Sequence, residues 1–137
     1  KTMKRRKLSM KHITKRLRPG QDLKREIERV VQLQKISAGC VLSIVGSLKA
    51  AKLRLADGRR VKHWKRHFEI VSGTGTISRD GCHIHISIAD NSGKVVGGHL
   101  KEGCVINTTA EVVLLVFEGV RYKRIFSRDT GYKELAL

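Results

Sequence analysis

Residues Cys82–Leu100 read CHIHISIADNSGKVVGGHL, and the fold turns on how this stretch reverses direction. In HIHISI, His83, His85 and Ser87 alternate with Ile84, Ile86 and Ile88. A strand sends successive side chains to opposite faces, so the isoleucines belong to the core and the histidines face a cleft, solvent or another subunit. DNSGK predicts a hairpin whose three-residue loop is Asn91–Gly93, with Gly93 in the left-handed position of a bulge. That loop sets Asp90 against Lys94, Ala89 against Val95, Ser87 against Gly97 and His85 against His99. The same register opposes Ile88 to Val96 and Ile84 to Leu100, so the polar and apolar faces agree. A loop one residue longer would put His99 opposite Ile84 and spoil both.

Directly opposed side chains have Cβ atoms about 5 Å apart, so the imidazoles of His83, His85 and His99 are predicted to converge. Nitrogen ligands at about 2.0–2.1 Å suit Zn²⁺, and three of them leave a fourth position open. Another divalent metal could occupy the same donors. The plainer alternative is a set of polar residues on a solvated strand face. Glu69, in HFEI, and Glu111, in TTAEVV, lie in strands expected near the hairpin. Either could orient an imidazole or act as a general base on bound water. An ion pair with a neighbouring Arg or Lys is the alternative, preferred for Glu111, which leaves Glu69 as the one catalytic candidate.

Outward from the hairpin the chain reads as one helix and many strands. RPGQD breaks the chain after a short strand near 11–18, and Asp22 is a suitable helix N-cap. Leu23, Ile27, Val30 and Val31 then form one apolar helical face, with Leu33 at its edge. CVLSIVG (40–46), SLKAAKLRLA (47–56) and HFEIVSGTGTIS (67–78) read as strands. The run Val112–Phe117 is long enough for a strand covered on both faces. Without βαβ alternation, this is an α+β fold, a mostly antiparallel sheet with one amphipathic helix packed on it.

The 137 residues suit one domain, taken as 13–137, preceded by a basic arm at 1–12 that is expected to be flexible. The formal net charge is +17, and it is uneven. Residues 1–19 carry nine Lys/Arg and no acid, Lys4, Arg5, Arg6 and Lys7 among them. RRVKHWKRH adds Arg59, Arg60, Lys62, Lys65 and Arg66 around Trp64, a candidate stacking group. A third basic cluster, VRYKRIFSR, begins at Val120. DNA or another polyanion is the matching partner, because each neutralised phosphate releases counterions. His63 and His67 fall in this second cluster, which reads as a basic loop. Three cysteines without CxxC spacing fit a reducing cytoplasm, with nucleoid association if DNA is the partner. Cys82 could offer a thiolate beside His83, although packing explains it as well. No apolar run reaches the roughly 18 residues of a membrane span, and the basic start lacks the apolar stretch of a secretory signal.

In order along the chain, RPGQDL, AGCVLSIVGSL, LRLA, FEIVSGTGTIS, HIHISIADNSGKVVGGHL and TTAEVV resemble the plants-and-prokaryotes-conserved (PPC) domain, over about 17–117. The resemblance implies an α+β homotrimer. It also implies metal ligation at the HxH and GGH histidines, here His83, His85 and His99. Plant members join the domain to AT-hooks, whereas prokaryotic single-domain members are regarded as DNA-binding. The AT-hook core Arg-Gly-Arg-Pro is absent, since RLRPG at 16–20 departs from it. Minor-groove reading therefore does not carry over. The expected function is a trimeric DNA-binding or regulatory module that touches phosphates through basic surfaces and holds a three-histidine metal site. The alternatives are a metal-dependent enzyme on a small substrate and a trimeric scaffold without chemistry.

Overall fold

A computed structural model describes residues 9–136. The described residues form β1 (Met10–Leu17), α1 (Leu23–Leu33), β2 (Gly39–Arg54), β3 (Val61–Trp64), β4 (Phe68–Ile77), β5 (His83–Ala89), β6 (Val95–Leu100), β7 (Val105–Phe117), β8 (Lys123–Phe126) and β9 (Lys133–Ala136). The fold class is α+β. One seven-stranded antiparallel sheet runs β1-β7-β2-β4-β5-β6, with β3 attached to β2, and β8 and β9 form a separate ribbon.

α1 forms where the sequence places it. The Asp22 carboxylate accepts the Arg25 amide at 3.0 Å and so caps the first turn. Leu23, Ile27 and Val31 are buried, Val30 is half-buried and Leu33 is exposed. This apolar stripe lies against Leu17, Val112 and Leu114 of β1 and β7.

β2 organises the sheet. The two strands expected at 40–46 and 47–56 are one strand of 16 residues. Register shifts between Val41 and Ser43, Gly46 and Leu48, and Leu48 and Ala50 bend it, since each extra residue adds local twist. Its first half pairs with β4 and β7, and its far end pairs with β3 and β6. The strands β2-β4-β5-β6 therefore close on themselves, and the last seam registers Leu53 with Leu100 and Arg54 with His99.

Three expectations are corrected. β1 begins at Met10, where Met10 pairs with Phe117 and His12 with Leu115, so residues 10–12 belong to the sheet rather than to an arm. Four of the nine residues of the RRVKHWKRH segment form strand β3 rather than loop. In β7, Val112, Leu114 and Val116 are buried, but Val113, Leu115 and Phe117 are only half-buried, so its second face is not fully covered. Among the described residues no helix is long and apolar enough to cross a membrane.

Candidate metal centre

The hairpin that carries the histidines has the register its loop dictates. Ala89 pairs with Val95, Ile88 with Val96, Ser87 with Gly97 and His85 with His99. Asp90 builds the turn: its Oδ1 accepts the Ser92 amide (2.9 Å), the Ser92 hydroxyl (2.7 Å) and the Lys94 amide (3.0 Å). The Ser92 hydroxyl, helped by the two amides, holds the Asp90 carboxyl below its ordinary range. Gly93 sits at φ +83°, the left-handed conformation the loop requires. Leu100, expected opposite Ile84, is registered against Leu53 of β2, where β6 meets its second neighbour.

The three imidazoles converge. Ring centroids are 4.9 Å apart for His83–His85, 5.2 Å for His83–His99 and 5.5 Å for His85–His99. One nitrogen from each ring lies within 4.8 Å of the others, and the Nε2 atoms of His83 and His85 are 3.1 Å apart. Tetrahedral bonds of 2.0–2.1 Å require nitrogens about 3.3 Å apart, so small ring movements complete a three-donor face. Burial, followed by the Arg54 charge, pushes His99 down to about 4. Burial and neighbouring His85 lower His83 as well. Both rings are thus neutral at neutral pH, the form that donates a lone pair to a metal.

Beside the rings lies a cavity of about 290 Å³. His83 and His99 line it from the closed sheet, and Arg124, Tyr132 and Glu134 line it from the β8–β9 ribbon. Arg54, placed against His99 by the β2–β6 seam, has its Nη2 3.5 Å from His99 Nδ1. Its guanidinium stacks over Tyr132 at 5.1 Å, and the Tyr132 hydroxyl donates to the Gly58 carbonyl at 3.0 Å. Arg124 donates to Thr76 Oγ1 at 2.7 Å. Sequence reasoning passed over Arg54, Arg124, Tyr132 and Glu134. The third basic cluster was the one available signal, and it marked Arg124 only as surface charge.

The two acids named from sequence stand elsewhere in this chain. Glu69 is registered against Ser47 and Ala89, while Thr74 is the β4 residue opposite His85. They are five positions apart along β4, up to about 16 Å. Glu111 faces Arg16 and Val45. Cys82 packs against the core, where burial raises its thiol, and it is not among the clustered donors, which are His83, His85 and His99. A wider groove of about 390 Å³ runs between α1 and Cys82, but the only metal-type cluster among the described residues is the histidine trio.

Arg59, Arg60, Lys62, Lys65 and Arg66 are all exposed, as are His63 and His67. Asp57 Oδ1 accepts the Arg59 and Arg60 amides at 3.0 and 2.9 Å and so shapes the β2–β3 turn. Arg66 lies 3.9 Å from Asp90. Trp64 does not serve as a stacking group, because it is 8% exposed and packs edge-on against Phe68 at 6.0 Å. Lys4, Arg5, Arg6 and Lys7 lie outside the described residues.

Known proteins resemble this chain in sequence and fold. The profile of the Plants and Prokaryotes Conserved (PCC) domain matches residues 4–118. A bifunctional protein GlmU from Synechococcus sp. (strain JA-2-3B'a(2-13)) is 46% identical over 127 residues, 93% of this chain. The chain spans only 20% of that relative's length. A hypothetical protein from Salmonella cholerae-suis has a similar structure, with 29% identity, a TM-score of 0.90 and coverage of 96% of this chain and 95% of the other. The metal-containing protein AF0104 from Archaeoglobus fulgidus is also 29% identical, with a TM-score of 0.83 and coverage of 98% and 100%.

Proposed function

Since the chain belongs to the Plants and Prokaryotes Conserved (PCC) domain family, we propose that it is a homotrimeric module that holds a divalent metal on His83, His85 and His99 and binds DNA or another polyanion through its basic surfaces. The observation that carries the metal reading is the convergence of three nitrogen donors within 4.8 Å. The similar Archaeoglobus protein is metal-containing, which supports the same reading. Zinc is the first candidate ion by its preference for imidazole. A bound ion would polarise an oxygen ligand at its open position.

The test is metal analysis of purified protein after incubation with zinc. About one ion per chain is expected, with loss of that ion in His85→Ala and His99→Ala variants whose circular dichroism is unchanged. Protein that folds and takes up no zinc, cobalt or manganese defeats the reading.

Two other surfaces support the remaining parts of the proposal. Part of the +17 net charge is displayed by five exposed Lys/Arg, with Arg59, Arg60 and Lys62 on the β2–β3 hairpin and Lys65 and Arg66 just after it. Contacts of that kind grip phosphates without reading bases. Leu42, Val45 and Val71 are each more than half exposed, and large exposed apolar groups on a sheet suit contact with further copies. The Synechococcus relatives carry the matching segment as about a fifth of a larger protein, which fits a module serving assembly or binding. A metal-dependent enzyme is the second reading, favoured by the cavity that opens beside the rings.

A further inference from the structure

We infer that the cavity beside the histidines binds a small carboxylate, with one oxygen at the open metal position and the other on the Arg54 guanidinium. The inference rests on the metal reading above and names the ligand class of that site.

Register brings Arg54 to the site, and stacking on Tyr132 holds its guanidinium there. The seam between β2 and β6 sets it directly against His99, with Nη2 3.5 Å from the ring. Tyr132 supports the guanidinium from its flat side, and the tyrosine is itself tied to Gly58. The donor fork is thus arranged before any ligand arrives, which lowers the entropic cost of binding. Among the described residues neither Arg54 nor Arg124 is paired with a carboxylate.

A cation beside a divalent metal is an unfavourable neighbour. Arg54, Arg124 and Lys133 line the cavity against only Asp80 and Glu134, and a metal adds two further positive charges. An anionic ligand bridging the metal and Arg54 removes that conflict. A carboxylate matches both ends, since its two oxygens fit the planar guanidinium fork and either one is a good metal ligand. Size points the same way. A volume of about 290 Å³ lies at the lower end of small-molecule pockets, suited to a compact metabolite rather than to a nucleic-acid strand.

The test uses the full chain loaded with Co²⁺, whose visible spectrum reports changes in its ligands. Acetate, malonate and inorganic phosphate are titrated separately into wild type, Arg54→Met, Arg54→Lys and Tyr132→Phe. Wild type should show a saturable spectral change with acetate and malonate, and a weaker one with phosphate. Arg54→Met should keep one cobalt per chain and bind cobalt more tightly, because a repelling charge is gone, while its carboxylate affinity falls at least tenfold. Arg54→Lys keeps the charge without the fork and should fall between the two; it also decides the matter if the methionine variant fails to fold. Tyr132→Phe, which frees the ring from Gly58, should weaken carboxylate binding by a smaller factor.

Cobalt uptake without a carboxylate response, or a response unchanged in both Arg54 variants, overturns the inference and leaves the metal site standing. A stronger response to phosphate than to either carboxylate overturns the ligand class. Absence of cobalt uptake in folded wild type defeats the metal reading, and the inference falls with it.

Discussion

His99 carries two demands on one ring: it must stay neutral, and it must sit beside a guanidinium. Its ordinary value near 6.5 falls to about 4 in the folded chain, through burial first and Arg54 second. The unfolded chain therefore takes up a proton between these values that the folded chain refuses. Stability from this group is complete above pH 6.5, declines as pH falls towards 4, and is level below that. In chelator-treated protein, Tm should drop across this window, and the drop should be shallower in His99→Gln; equal slopes would contradict the account. Asp22 makes a second residue-level prediction. One carboxylate oxygen caps α1 and the other accepts the Gly103 amide at 2.7 Å. Asp22→Ala should cost about 2 kcal/mol in urea unfolding, because it removes a cap and orphans a second donor. The histidines and Asp22 were legible in sequence because each is governed by neighbours a few positions away. Arg54 was not, since its partner His99 lies 45 residues downstream.

Two glycines separate turn chemistry from strand packing. At Gly93 an added Cβ meets nothing within 4 Å, but φ is +83°. Gly93→Ala should lose about 1 kcal/mol of stability through backbone strain and leave metal affinity intact. At Gly75 an added Cβ would lie 2.2 Å from the His83 carbonyl. Gly75→Ala must push β4 from β5, so it should lose about 1–3 kcal/mol by overpacking and weaken metal binding as well. Denaturant curves and zinc titration read the two quantities separately. The β5–β6 hairpin was legible because its loop and both faces gave the same register. β3 was missed because four residues dense with Lys and His show no apolar alternation. β8 and β9 were missed for a related reason: each has four residues, and Ile125, Phe126 and Leu135 stay exposed, so no burial pattern is written into them. Trp64 was misplaced because its charged neighbours point outward while the ring itself turns into the core.

Charge and assembly belong to the whole molecule. If the β2–β3 hairpin grips phosphates, log affinity for duplex DNA should fall linearly with log salt, by roughly 0.9 per contacted phosphate. Replacing Arg59, Arg60 and Lys62 by alanine should then reduce that slope by up to about 3, read by fluorescence anisotropy. An unchanged slope would move the interface elsewhere. For the proposed assembly, Val45→Asp places a charge on an exposed apolar position; if the chain is trimeric, light scattering should show monomers of this variant. The fold class was legible at this scale from strand patterning alone. The closure of the sheet was not, because it depends on bulges that let one long strand serve neighbours at both ends.

That closure also orders events in time. The seam joins residues 45 positions apart, so it forms after the local hairpins. An ion gripped by β5 and β6 beside it would act as a clasp fastened once those strands have paired. Stopped-flow traces should then show refolding at the same speed with or without zinc, and a native lifetime that lengthens when zinc is present.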